Sequence, residues 1–191
     1  MEQIELSSAT LSSAREFISR IEAQSESNIK ACYQCGKCSA GCPVAFAMDY
    51  SPRQIIRLLQ LGLKDEALKA HSIWICAQCA TCSTRCPRGV EPARLMEAMR
   101  IEARKSGITP EKNIKIFDDA FLDSVEKNGR VHEFGLILNF NLKTGQPFKD
   151  AGMGPAMMKR GKVSLFPHKI KGQTAIKRIF DRVRAQGGDQ H

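Results

Sequence analysis

The sequence predicts a mainly α fold, and three observations predict it. Apolar residues recur at helical spacing along Leu11, Ala14, Phe17, Ile18 and Ile21, along Ile55, Ile56, Leu58 and Leu59, and along Leu95, Met96 and Met99. Two of these stretches open on a proline, Ser51-Pro52 and Glu91-Pro92, where the missing N–H and fixed φ suit the first helical turn. Third, the stretch joining two cysteine runs reads as helix, where a strand-and-turn connection would be the alternative.

The elements follow in order. Residues 1 to 9 are expected to fray, Thr10 to cap the first helix, and the polar AQSESN stretch from Ala23 to end it. Beyond the first cysteine run, Ser51 caps a helix that Gly62 stops. A second helix runs from Lys64 to about His71 with Ala67 and Leu68 inward, delivering Ile73-Trp74-Ile75 to the second run. The helix opened by Glu91-Pro92 ends at Gly107, before Pro110. Phe117, Phe121, Leu122 and Val125 then predict a helix stopped by Asn128-Gly129, and His132 to Phe140 a short one. From Gly145 to Pro167, glycine and proline punctuate the chain so densely that a compact independent core is not expected there. The expected organisation is an N-terminal helix over 1–27, a cysteine-bearing helical domain over 28–109 and a basic C-terminal extension over 110–191.

Composition narrows the class. The 191 residues are 42% hydrophobic and 26% charged, values that exclude collagen-like, mucin-like and wholly disordered chains. No apolar run nears the roughly 20 residues of a membrane helix, and MEQIELSSAT is acidic and polar where a signal peptide would be basic and apolar. A soluble, cytoplasmic protein is expected.

In reducing cytosol, eight cysteines argue for a metal rather than disulfides. They form two runs, Cys32, Cys35, Cys38 and Cys42, then Cys76, Cys79, Cys82 and Cys86. Each reads C-x2-C-x2-C-x3-C and is followed by proline, and each cysteine of the second run lies 44 positions after its counterpart. Three thiolates at i, i+3 and i+6 can face one corner of a cubane cluster, while the fourth points away. In the bacterial ferredoxin pattern that fourth cysteine ligates the other cluster. One [4Fe-4S] cluster is therefore assigned to Cys32, Cys35, Cys38 and Cys86, and a second to Cys76, Cys79, Cys82 and Cys42, in an α-helical ferredoxin domain. Structural zinc takes its ligands as separated pairs and has no use for a third cysteine plus Cys-Pro. Unmetallated buried thiols explain the spacing no better, and a [2Fe-2S] or [3Fe-4S] site is not expected, because all eight thiolates are present for two complete cubanes.

The formal charge of +9 falls to about +5 when two oxidised clusters are added, so the basic balance partly offsets them. Residues 159 to 184 carry nine Lys or Arg against one acid, Asp181, and finish in the amphipathic stretch Ile176, Ile179, Phe180, Val183. This tail reads as an arm that docks an acidic partner. A solvated basic helix with no partner is the next reading, and nucleic-acid binding is the weakest, because the tail lacks interleaved aromatic platforms. His71, His132, His168 and His191 show no ligand spacing, and Met153, Met157 and Met158 read as an adaptable core or interface patch. Tyr33 and Trp74 flank cluster cysteines and are expected to shield them from water. No phosphate loop and no nucleophile–base pairing is present, so no residue is assigned a catalytic role.

CYQCGKCSAGCPVAFAMDYSPRQIIRLLQLG followed by WICAQCATCSTRCPRGVEPARLMEAMR resembles the small iron-sulfur subunit of soluble heterodisulfide reductase, strongly over residues 28 to 107. The cysteine pattern is shared with iron-sulfur subunits of succinate dehydrogenase-like, glycerol-3-phosphate dehydrogenase and glycolate oxidase systems. The Ser-Pro-Arg-Gln-Ile-Ile stretch favours heterodisulfide reductase. That resemblance implies an electron carrier from a flavin-containing subunit to another whose CCG motifs house disulfide cleavage. This chain has no Cys-Cys pair and no spare cysteine for such a site, so it is expected to be the conducting part of an oxidoreductase complex. An iron-sulfur subunit of another flavin-dependent dehydrogenase, or a cluster-based redox sensor, is the alternative.

Overall fold

The computed structural model describes residues 8–149, 152, 154–161 and 164–186. Eleven α-helices and no strand occur among the described residues. The chain divides into two compact units, Met1–Pro110 and Glu111–His191. No helix among the described residues is long and apolar enough to cross a membrane.

The first unit is built on α1 (Ser8–Ser25) and α7 (Pro92–Lys105), which lie against each other. Phe17 and Ile21 on α1 are fully buried, as are Leu95, Met96 and Met99 on α7. Arg20 of α1 reaches Glu102 of α7 at 3.1 Å. α1 already includes Ser8 and Ala9, so Thr10 lies inside the helix and is not its cap; residues 1–7, where fraying was expected, lie outside the described residues. The N-terminal helix is thus part of the cysteine-bearing unit.

Between the cysteine runs, α3 (Pro52–Gln60) opens as the Ser-Pro pair predicts. Ser51 and Gln54 form a capping box, with the Ser51 N–H donating to Gln54 Oε1 at 2.9 Å. Gly62 ends this stretch at φ +74, and a Cβ there would come within 2.9 Å of the Ala14 Cβ on α1. Only glycine meets both the left-handed turn and that close approach.

The next helix, α4 (Lys64–Lys69), is shorter than the sequence suggests, and a separate turn, α5 (Ser72–Ile75), carries Ile73 and Trp74. The break has a physical cause. The N–H groups of His71 and Ser72 donate to the Asp49 carboxylate, both at 2.8 Å, instead of continuing the α4 ladder. α7 opens on Pro92 and ends at Lys105, with Gly107 at φ +70 just beyond.

In the second unit α8 (Lys112–Asn128) stops where Gly129 turns left-handed at φ 77, its N–H bonded to the Val125 carbonyl at 2.7 Å. α9 (Glu133–Lys143) lies against α8, and His132 caps it: Nδ1 accepts from the Gly135 N–H at 3.2 Å while Nε2 lies 3.0 Å from the Ser164 carbonyl. Phe117 and Phe140 meet edge to face at 5.7 Å across this pair. α10 (Gly154–Lys159) leaves Met157 and Met158 exposed rather than in a core; Met153 lies outside the described residues. α11 (Gln173–Ala185) rests on α8. The unit is compact, yet among its described residues only Ala120, Leu136 and Asn141 are buried, so its core is thin.

Candidate metal centres

The two cysteine runs fold alike, residue for residue. Gln34 (φ 65) and Gln78 (φ 50) are left-handed between the first and second cysteines of their runs. Gly36 (φ 85) and Ala80 (φ 57) are left-handed between the second and third. Each run then enters a short helix at the same place, α2 (Lys37–Ala40) or α6 (Thr81–Thr84). Left-handed residues at alternate positions curl the chain so that successive side chains and N–H groups face one centre. For Gln34, Gln78 and Ala80 that conformation costs about 1–2 kcal/mol each, because their Cβ crowds the following carbonyl. The strain recurs at equivalent positions of both runs.

Two cavities result. One is lined by Cys32, Cys35, Cys38 and Cys86, together with Gly36, Arg53, Ile56, Pro87 and Val90, and encloses about 300 Å³, its open mouth included. The other is lined by Cys42, Cys76, Cys79 and Cys82, with Val44, Met48, Ala80 and Met96, and encloses about 350 Å³ on the same measure. Each cavity takes three cysteines from one run and the last cysteine of the other. Pro92, at the start of α7, lines both. None of the eight cysteines is in a disulfide.

The thiols differ by position. Cys35 and Cys79, the second of each run, are exposed and held below the ordinary thiol value. For Cys35 the main cause is the Lys37 backbone N–H, partly opposed by desolvation, with the Tyr33 hydroxyl adding to it. For Cys79 it is the Thr81 hydroxyl, 3.3 Å away, followed by the Thr81 N–H. Burial pushes Cys38, Cys76 and Cys82 up. At Cys76 the Gln78 N–H and the Arg100 charge offset this only in part; thiols raised by burial are suited to a metal, which removes the proton outright. Four thiols round a shared space, with apolar walls and inward N–H groups, fit a cubane.

The surroundings are less alike than the backbone. The Gln34 side-chain amide donates to Cys32 Sγ at 3.5 Å and lies 3.4 Å from Gln60 Oε1. Gln60 Nε2 in turn donates to the carbonyls of Ile29 at 3.1 Å and Cys32 at 2.8 Å. At the second run, Arg100 Nη1 donates to the Cys76 carbonyl at 3.5 Å. Trp74 is 5% exposed and lies under the Arg104 guanidinium at 5.7 Å. Tyr33 differs: it is 60% exposed, and its contribution is a hydroxyl contact to Cys35 rather than a shield.

Sequence reasoning names all eight cysteines but passes over Gln34, Asp49, Gln60 and Arg100. One signal was available: Gln34 and Gln78 are the same residue at the same place in both runs.

Residues 28–90 match a family model described as a 4Fe-4S dicluster domain, and the chain carries a ferredoxin-type domain of that kind. Among curated proteins, the chain is 39% identical over 80 residues to the iron-sulfur subunit, lettered C, of the CoB--CoM heterodisulfide reductase of Methanopyrus kandleri, a stretch covering 42% of each chain. It is also 39% identical over 93 residues to the like-lettered subunit of the H(2):CoB-CoM heterodisulfide,ferredoxin reductase of Methanothermobacter thermautotrophicus, covering 49% of this chain and 50% of the relative. Against the like-lettered subunit of the ferredoxin:CoB-CoM heterodisulfide reductase of Methanosarcina acetivorans the identity is 38% over 81 residues, covering 42% of this chain and 32% of the relative. The matches span half or less of the length of these relatives.

Proposed function

We propose that this chain, with its 4Fe-4S dicluster ferredoxin-type domain, is the electron-carrying subunit of a heterodisulfide reductase-type complex. In this reading Cys32, Cys35, Cys38 and Cys86 hold one [4Fe-4S] cluster and Cys76, Cys79, Cys82 and Cys42 hold the second. The observation that carries it is the lining of the two cavities, each with four cysteines drawn three and one from the two runs. When bound, the clusters supply reversible one-electron transfer.

The chain's own residues set the conditions. The left-handed turns at Gln34, Gly36, Gln78 and Ala80 hold the thiols round their cavities, and N–H groups such as those of Lys37 and Thr81 stabilise sulfur charge. Ile56, Val90 and Met96 keep water from the inner walls. All eight cysteines are used in this way, which leaves none to attack a disulfide. Electrons would therefore pass from a flavin-containing subunit to a CCG-motif subunit, where the disulfide is cleaved. The names of the relatives support this role. We place the protein in the cytoplasm, where thiols stay reduced, and assign the basic C-terminal extension to docking one of these partners.

The test is anaerobic reconstitution of the full chain. It is expected to bind about eight irons and eight acid-labile sulfides, to accept electrons from a low-potential donor and to deliver them to a CCG-type partner. It should reduce no disulfide alone. An iron content near half that value, or disulfide reduction by the isolated holoprotein, would overturn the reading.

A further inference from the structure

The helices that follow the two cysteine runs correspond as the runs do. α3 and α7 each open with a proline, Pro52 and Pro92. Eight residues on stands Gln60 in one helix and Arg100 in the other. Both side chains reach back to the carbonyl of the first cysteine in the preceding run, Gln60 to Cys32 at 2.8 Å and Arg100 to Cys76 at 3.5 Å. The same structural task is performed by a neutral amide beside one cavity and by a guanidinium beside the other.

The difference is one full charge. A guanidinium stays protonated at any working pH, and a fixed positive charge favours whichever state of a neighbouring centre is more negative. For an iron-sulfur cluster that is the reduced state, so the charge raises its potential. Other cations stand near the first cavity: Arg53 and Lys37 on its wall, Arg88 just after Cys86, and Arg57, which donates to Gln60 Oε1 at 3.3 Å. All four are exposed, where water and salt screen them. Arg100 is half-buried and forms no ion pair among the described residues. The Gln34 amide on Cys32 brings a hydrogen bond to the first cavity but no net charge.

Resting on the assignment of one cluster to each cavity, we propose that Arg100 sets the cluster of Cys42, Cys76, Cys79 and Cys82 at the higher potential, so that an electron entering the chain settles there. The transfer moves one electron from the reduced cluster of the first cavity to the oxidised cluster of the second. No bond is made or broken and no proton moves. Arg100 is a positioning and tuning residue, acting through its charge and through the Cys76 carbonyl.

The experiment is a potentiometric titration of the reconstituted full-length holoprotein, followed by electron paramagnetic resonance. Wild type should show two reduction waves. Arg100→Gln should lower the higher wave and leave the lower one in place, while Arg100→Lys, which keeps the charge, should move it much less. Gln60→Arg should raise the lower wave and narrow the gap. If Arg100→Gln moves neither wave, or moves only the lower one, the proposal fails. Should that variant not hold iron, Gln60→Arg decides alone: an upward shift of the lower wave supports the pairing of these positions, and no shift overturns it. Failure of the underlying two-cluster reading looks different, since wild type would then give a single wave with about four irons.

Discussion

Asp49 accepts from Ser72 twice, from its backbone N–H at 2.8 Å and from its hydroxyl, and also takes the N–H groups of His71 at 2.8 Å and Tyr50 at 2.9 Å. One carboxylate thereby ties the segment leaving the first cysteine run to the turn that enters the second. Burial pushes the Asp49 carboxyl up, but the Ser72 hydroxyl and the three N–H groups outweigh it, and the folded value lies below the ordinary 3.8. A carboxyl depressed in this way stabilises the fold fully above its unfolded value, and that stability is lost as pH falls through the folded one. Asp49→Asn should cost about 1 kcal/mol at neutral pH, a charge-assisted network discounted for exposure. Stopped-flow circular dichroism after denaturant jumps should show the gap between wild type and variant shrinking below pH 3.8. A gap that persists undiminished through about pH 2 would remove the carboxylate charge from the explanation.

The crossed cavities make the last cysteine of each run the informative one to change. Cys42→Ser should damage the centre of Cys76, Cys79 and Cys82, and Cys86→Ser the centre of Cys32, Cys35 and Cys38. Iron analysis with magnetic resonance should find the two variants retaining opposite signals. Selective loss of the Cys32 centre in Cys42→Ser would contradict the assignment.

Ala80 and Gly36 occupy the same left-handed position, so exchanging their residue types tests whether the strain is real. Ala80→Gly should stabilise by up to about 1 kcal/mol, the relief of Cβ crowding less the added freedom of the unfolded chain. Gly36→Ala should cost about as much, and not through a clash, since the new Cβ would lie 4.0 Å from its nearest neighbour, Arg53 Cδ. Rates of chaotrope-driven cluster loss give both values. Equal rates in all three proteins would show that the turn holds no strain.

Within the second unit, Arg184 grips Glu126 through both nitrogens, at 2.9 and 2.6 Å, and so fixes α11 to α8. That contact holds the Glu126 carboxyl below its usual range. Arg184 is therefore occupied, so in the proposed docking the steering of a partner would fall to Lys177, Arg178 and Arg182. Changing those three to Ser should slow association with the partner protein and flatten its salt dependence, whereas Ile179→Ala with Val183→Ala, both about half exposed, should mainly speed dissociation. Glu126→Gln should instead expose α11 to proteolysis. Deleting residues 162–191 should leave iron content and spectra intact; loss of iron would make the tail part of the cysteine-bearing unit.

What the sequence discloses depends on how local the constraint is. Three cysteines within seven residues are close enough in sequence to line one cavity, so the candidate metal centres are legible without a fold. Ser51-Pro52 and Glu91-Pro92 likewise fix helix starts from neighbouring residues alone. Thr10 shows the limit, because a polar residue near a terminus looks the same as a cap and as a first-turn residue. The Asp49 tie spans 22 and 23 residues to His71 and Ser72, and an aspartate in a polar turn gives no sign of a distant partner. Arg100 hides for another reason: a cation on a helix flank reads as solvated until the helix is seen to begin as α3 does.

The borrowed fourth cysteine also fixes when either site can exist during synthesis. The first cavity has three of its four thiols once Cys38 has been added, then lacks its last until Cys86 emerges; the second waits for Cys82, only four residues earlier. Both therefore become complete nearly together, before half of the 191 residues have been added. In the proposed assignment, machinery delivering iron and sulfide would meet a nascent chain in which neither centre is ready, and then, within a few rounds of elongation, one in which both are.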